Sequence, residues 1–130
     1  RPAAIYQTAA AFVLPTRGLG ASGLVTVEAL ACGTPVLGTP VGATPELLQP
    51  LEPSLLFRDA SVAGIADGID GFLRAFASDP TRALAPRAAC RRYVESQYGW
   101  DRAVSALERA LATLAGRRGE LLPRPGEASA

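Results

Sequence analysis

Histidine and methionine are both absent from the 130 residues, and there are only two cysteines, Cys32 and Cys90. Without histidine, neither a Ser-His-Asp triad nor a histidine-based metal site can form within the chain. Both cysteines fall inside apolar helical runs, with no C-x-x-C and no metal-ligand spacing. They read as buried free thiols in a reducing cytoplasm, with no metal expected. Net charge is scarce as well: 13 basic residues against 12 acidic ones leave +1, so no strong field directs the chain toward nucleic acid. The C-terminal arginines, Arg82, Arg87, Arg91, Arg92, Arg102, Arg109, Arg117 and Arg118, alternate with carboxylates at helical spacings and read as solvated helix faces. No apolar run approaches the eighteen residues of a membrane span, and no signal peptide is visible. The chain opens Arg1-Pro2-Ala3 without an initiator methionine, which reads as a piece of a longer polypeptide.

What is present is enough apolar residue content, 48%, for the core of one ordinary domain. A short helix is predicted at about 3–9 and strands at about 11–14, 35–39 and 55–57. Helices are predicted from about Ser22 to Cys32, with Ser22 or Gly23 at the start, and from Thr44, with Thr44 as N-cap and Pro45 at the first helical position. From Ser61 the chain reads as helix: about 61–77, then from Asp79-Pro80 to about Ser96. A last helix carries Val104, Leu107, Leu111 and Leu114. Residues 116–130, rich in Gly, Pro, Arg and Glu, read as a disordered tail behind a domain of residues 1–115. Alternation of strand and helix predicts an α/β fold with parallel strands in sequence order. Three strands are too few for a doubly wound sheet, so the chain reads as the second half of a Rossmann-like one with a helical C-terminal region.

Gly18-Leu19-Gly20-Ala21-Ser22-Gly23 matches the dinucleotide fingerprint G-x-G-x-x-G. A dinucleotide site also needs the first glycine directly after the strand and an acid about 20 residues further on. Here Pro15, Thr16 and Arg17 intervene, and the next strand ends at Thr39-Pro40 with no carboxylate. Ser22 fails as a nucleophile elbow because Leu24 replaces the last glycine of G-x-S-x-G. The helix that follows is more informative. Glu28 stands among apolar neighbours, one turn in from a helix start, and is expected to be buried with a partner. The N–H groups of Gly23, Leu24 and Val25 form an anion site; a phosphate there and a sugar hydroxyl at Glu28 suit a nucleotide.

Three blocks then occur in order: Phe12-Val13-Leu14-Pro15-Thr16-Arg17, Gly23 through Val36, and Gly42-Ala43-Thr44-Pro45-Glu46. Over about residues 3–115 they resemble the retaining nucleotide-sugar glycosyltransferases of family four. The shared pattern there is a strand, P-[ST]-R, E-G-F-G-L, E-A-x-A-x-G-x-P-V and G-G-x-P-E, and Tyr98-Gly99-Trp100-Asp101 resembles its closing [FY]-x-W. The resemblance implies a GT-B fold whose C-terminal half holds the donor, a nucleotide-diphosphate sugar, with no cofactor and with an N-terminal acceptor domain as partner. It makes Ser22, Gly23, Leu24 and Val25 the diphosphate-binding turn and Glu28 the ribose-binding second glutamate of an E-x7-E pair. The first glutamate of that pair falls on Gly20, so no catalytic residue is expected in this chain and E-G-F-G has become Gly20-Ala21-Ser22-Gly23. A nucleotide-sugar-binding half, inactive alone, and a degenerate interaction module both remain open. The Leu107/Leu111/Leu114 stripe and the sheet edge at Phe12–Leu14 predict self-association.

Overall fold

The computed structural model describes residues 2–18 and 23–121. In chain order these form α1 (Pro2–Thr8), β1 (Phe12–Leu14), α2 (Leu24–Ala31), β2 (Val36–Gly38), α3 (Thr44–Leu48), a 3-10 turn (Pro53–Leu55), α4 (Val62–Ser78), α5 (Pro80–Tyr98) and α6 (Trp100–Leu121). The fold is α/β, with a small parallel sheet and a helical C-terminal region. Two compact units divide between Ser96 and Gln97.

Strands β1 and β2 pair in parallel, Phe12 opposite Val36 and Leu14 opposite Gly38. Every residue of β2 is buried, as expected of a strand covered on both faces. The expected third strand at 55–57 shrinks to one parallel bridge, Gly38 with Leu56, closed by Phe57 N–H donating to Gly38 O at 2.8 Å. The cause is local. Pro53 opens a 3-10 turn, and the Glu52 side chain accepts from Ser54 N–H, so Leu55 is drawn into the turn instead of the sheet.

The core joins Leu30 and Ala29 of α2, Val36 and Leu37 of β2, Leu48 of α3, then Leu55, Phe57, and Cys90 and Val94 of α5. Helix α2 ends in a Schellman motif: Thr34 N–H bonds Ala29 O and Gly33 N–H bonds Leu30 O, both at 2.9 Å, with Gly33 at φ 77°. Arg87 of α5 reaches back to the start of the chain, donating to Gln7 O at 3.0 Å and Ala9 O at 3.1 Å, and satisfies carbonyls at the end of α1.

Two boundaries differ from expectation. Thr44 is the first residue of α3, with Ala43 as its N-cap. Helix α6 continues to Leu121, beyond the expected tail boundary at 116. Its two glycines, Gly116 and Gly119, cost a helix only about 1 kcal/mol each relative to alanine. Residues 122–130 lie outside the described residues.

Candidate nucleotide-binding site

Parallel strands in an open α/β sheet deliver their loops to one edge, and ligands bind at that carboxyl end. In this chain the edge is organised by the segments that leave β1 and β2. Thr39, directly after β2, is buried and donates its hydroxyl to Thr16 O at 2.6 Å, tying the two exits together. The segment after β2 turns tightly, with Val41 N–H on Thr39 O at 2.8 Å and Gly42 at φ 62°, and delivers the chain into α3.

Helix α2 starts at this edge. Its N-cap, Gly23, lies in the left-handed region at φ 65° and offers no capping side chain. A Cβ added at Gly23 would stand 2.5 Å from Leu47 Cδ1 and 3.6 Å from Ala43 Cβ. Glycine is therefore required twice, by the backbone angle and by the close approach of α3. The leading N–H groups of a helix have no acceptor within it; among the described residues no side chain caps those of Leu24 and Val25, where the helix dipole favours negative charge.

The buried face of α2 is formed by Thr26, Ala29 and Leu30. This phase puts Leu24 and Glu28 outward together, four residues apart and hence one above the other; both are exposed, Leu24 by 63%. The expectation of a buried, partnered Glu28 is thus corrected. Its apolar neighbours face the core while Glu28 faces solvent, and no ion pair involves it among the described residues. What results is an open face with N–H donors at the top and a free carboxylate about 6 Å down the axis, four residues at 1.5 Å each. Such a face accepts negative charge at one end and hydroxyl hydrogens at the other.

Gly20 and Ser22 lie outside the described residues, so the structure speaks for Gly23, Leu24, Val25 and Glu28 of the expected site. It adds two features that periodicity did not reveal. One is the Thr39–Thr16 tie, whose only sequence signal was a threonine soon after each strand. The other is Thr26, fully buried, whose Oγ1 has no hydrogen-bond partner among the described residues. Replacing an unsatisfied buried hydroxyl by a methyl group of similar shape removes its desolvation cost. Thr26→Val is expected to stabilise the protein by about 1 kcal/mol, read as a rise of about 4 °C in thermal midpoint. An unchanged or lowered midpoint would show that the hydroxyl is satisfied. Among the described residues there is no group of three potential metal ligands, and no helix is long and apolar enough to cross a membrane.

Comparison with known proteins shows the family of the chain. The sequence profile of the glycosyl transferases group 1 matches residues 1–75. A D-inositol 3-phosphate glycosyltransferase of Mycobacterium leprae is 33% identical over 105 residues, covering 81% of this chain and 24% of the relative. A GDP-mannose-dependent alpha-(1-6)-phosphatidylinositol monomannoside mannosyltransferase of Mycobacterium tuberculosis is 34% identical over 102 residues, covering 74% of this chain and 26% of its own. A glycogen synthase of Mycobacterium tuberculosis is 31% identical over 122 residues, 94% of this chain and 28% of that enzyme. No solved structure matches the chain. The chain belongs to the group 1 glycosyltransferases. It spans about a quarter of the length of the curated relatives it matches.

Proposed function

We propose that this chain is the donor-binding part of a glycosyltransferase and holds a nucleoside diphosphate sugar across the start of α2. The observation that carries this reading is Glu28: exposed, without an ion-pair partner among the described residues, and one turn below a helix start headed by a bare glycine. The diphosphate accepts hydrogen bonds from the N–H groups of Leu24 and Val25, and the ribose hydroxyls donate to Glu28. In glycosyl transfer the bond from the anomeric carbon to the diphosphate oxygen breaks, and an acceptor hydroxyl oxygen takes its place. The diphosphate leaves with the electron pair, and the end of α2 stabilises the charge gathering on it. Acceptor recognition and the cations that complete this stabilisation are assigned to the part of such enzymes that this chain does not span.

Gly20 favours a second reading, a nucleotide-binding module without turnover. Where the resemblance places a glutamate against the transferred sugar, this chain has no carboxylate. One titration addresses both readings. By calorimetry, UDP, ADP or GDP is expected to bind, NAD to bind more weakly than all three, and a sugar nucleotide to match its bare diphosphate within a few-fold. NAD binding tighter than every nucleoside diphosphate would overturn the proposal. A sugar nucleotide preferred by about a hundredfold would remove the case for a lost sugar contact.

A further inference from the structure

Thr39 makes three hydrogen bonds where the chain leaves β2. Its backbone N–H donates at 3.3 Å to the carbonyl oxygen of Leu14, the last residue of β1. Its hydroxyl donates at 2.6 Å to Thr16 O, further along the exit from β1. Its own carbonyl accepts from Val41 N–H at 2.8 Å. That last bond closes a three-residue turn centred on Pro40, whose ring holds φ near the value such a turn needs. Thr39 is fully buried, so water does not compete for its hydroxyl. From this turn the chain leads directly into α3, with Thr44 N–H on Val41 O at 3.3 Å. Ala43 and Leu47 then close on Gly23, where an added Cβ would stand 3.6 Å from Ala43 Cβ and 2.5 Å from Leu47 Cδ1. Gly23 O in turn accepts from Val27 N–H at 3.0 Å and begins the hydrogen bonding of α2.

We propose that Thr39 is a positioning residue for the diphosphate, acting through the turn after β2 on the N–H groups of Leu24 and Val25. The inference rests on the reading of the start of α2 as the donor's anion site. Backbone groups carry the pairing of β1 with β2, the N–H of Thr39 included. The hydroxyl adds a bond beyond the strand, to a carbonyl past its end. With N–H and hydroxyl both held by the exit of β1, Thr39 is fixed at two points. The direction in which Pro40 and Val41 leave is therefore fixed as well. That direction sets how closely Ala43 and Leu47 approach Gly23, and hence how the first N–H groups of α2 are aimed. Hydrogen bonds weaken steeply as their angle closes, and small misplacements of binding groups carry large losses. Thr39 itself, being buried, touches no ligand. Its part is alignment.

Calorimetry with inorganic pyrophosphate and with UDP on the full chain tests this, at a temperature where circular dichroism shows each variant folded. Thr39→Ser keeps the hydroxyl and loses a methyl, Thr39→Ala loses both, and Thr39→Val keeps the shape and loses the hydroxyl. Thr39→Ser is expected to bind both ligands within about threefold of the unmodified chain, and Thr39→Ala and Thr39→Val about tenfold more weakly. Pyrophosphate and UDP should lose the same factor, because Glu28 stands a turn below the displaced amides. A hydroxyl that only supports the fold would lower the urea midpoints of Thr39→Ala and Thr39→Val and leave the affinities of the folded protein unchanged. That result overturns the proposal. Equal losses in Thr39→Ser and Thr39→Ala overturn it too, because they trace the effect to the methyl group. If Thr39→Val does not fold, the serine and alanine variants, which differ by one hydroxyl, decide the outcome. An unmodified chain that binds neither pyrophosphate nor UDP overturns the donor-site reading and this proposal with it, whereas failure of the proposal alone shows only in the variants.

Discussion

Removing the Glu28 carboxylate is expected to weaken nucleoside diphosphates and their sugars alike, by about ten- to a hundredfold, while leaving stability almost untouched. A hydrogen bond to a charged group contributes about 1.5–3 kcal/mol, which sets that range of affinity. Stability barely moves because the side chain is exposed and none of the described ion pairs includes it. Glu28→Ala trades one good helix former for a better one, within about 0.5 kcal/mol. Inorganic pyrophosphate, which has no ribose, is expected to bind Glu28→Ala and the unmodified chain equally. Calorimetry with UDP and pyrophosphate on both proteins checks the pair of statements. Equal losses for the two ligands would place Glu28 in contact with phosphate or in the fold, and the ribose assignment would fail.

Gly23→Ala is expected to act on the other end of the same face and to damage the fold as well. An L-residue in the left-handed region costs about 1–2 kcal/mol. The new methyl would also stand 2.5 Å from Leu47 Cδ1, and Leu47 is itself buried with little room to retreat. Strain and overlap together are expected to lower stability by about 2–4 kcal/mol, and pyrophosphate binding should fall with it because the amides at the start of α2 are displaced. Gly42→Ala separates the two causes. Gly42 has φ 62°, yet nothing lies within 4 Å of where its Cβ would stand, so it carries the strain alone. Urea denaturation midpoints of the two variants make the comparison. If they fall equally, the approach of Leu47 to Gly23 contributes nothing.

Much of the sheet was legible because apolar runs bounded by Gly and Pro name a buried strand with few competitors. Phe12–Leu14 and Val36–Gly38 lie inside the expected runs. The start of α2 was legible from Gly23, and the parallel pairing followed from the helix between the strands. The third strand was not, because Leu55-Leu56-Phe57 has the right letters and only the turn set by Glu52 and Pro53 decides how many of them stay extended. Glu28 was misjudged for a different reason. Nearly every residue of α2 is apolar, so local hydropathy cannot say which side is covered; the neighbours in space do, and they cover Thr26, Ala29 and Leu30. The same gap hid the unsatisfied hydroxyl of Thr26, which depends on what surrounds it in three dimensions. The end of α6 was missed because the Gly, Pro, Arg and Glu content of residues 116–130 was weighed as one stretch, while Gly116 and Gly119 stand among helix formers.

The reach of Arg87 to Gln7 O and Ala9 O, across 80 and 78 residues of sequence, has a consequence for how the molecule opens. A seven-residue helix is short enough to fray alone when its last carbonyls are held only by water. Here those carbonyls share one guanidinium with α5, and α5 in turn sends Cys90 and Val94 into the core. Unravelling of α1 therefore strips hydrogen bonds from a helix far along the chain, and loss of α5 releases the end of α1 and the entry into β1. The two ends of the sheet-bearing unit are therefore expected to open together, and hydrogen exchange showing their slowest amides at a common rate would bear this out.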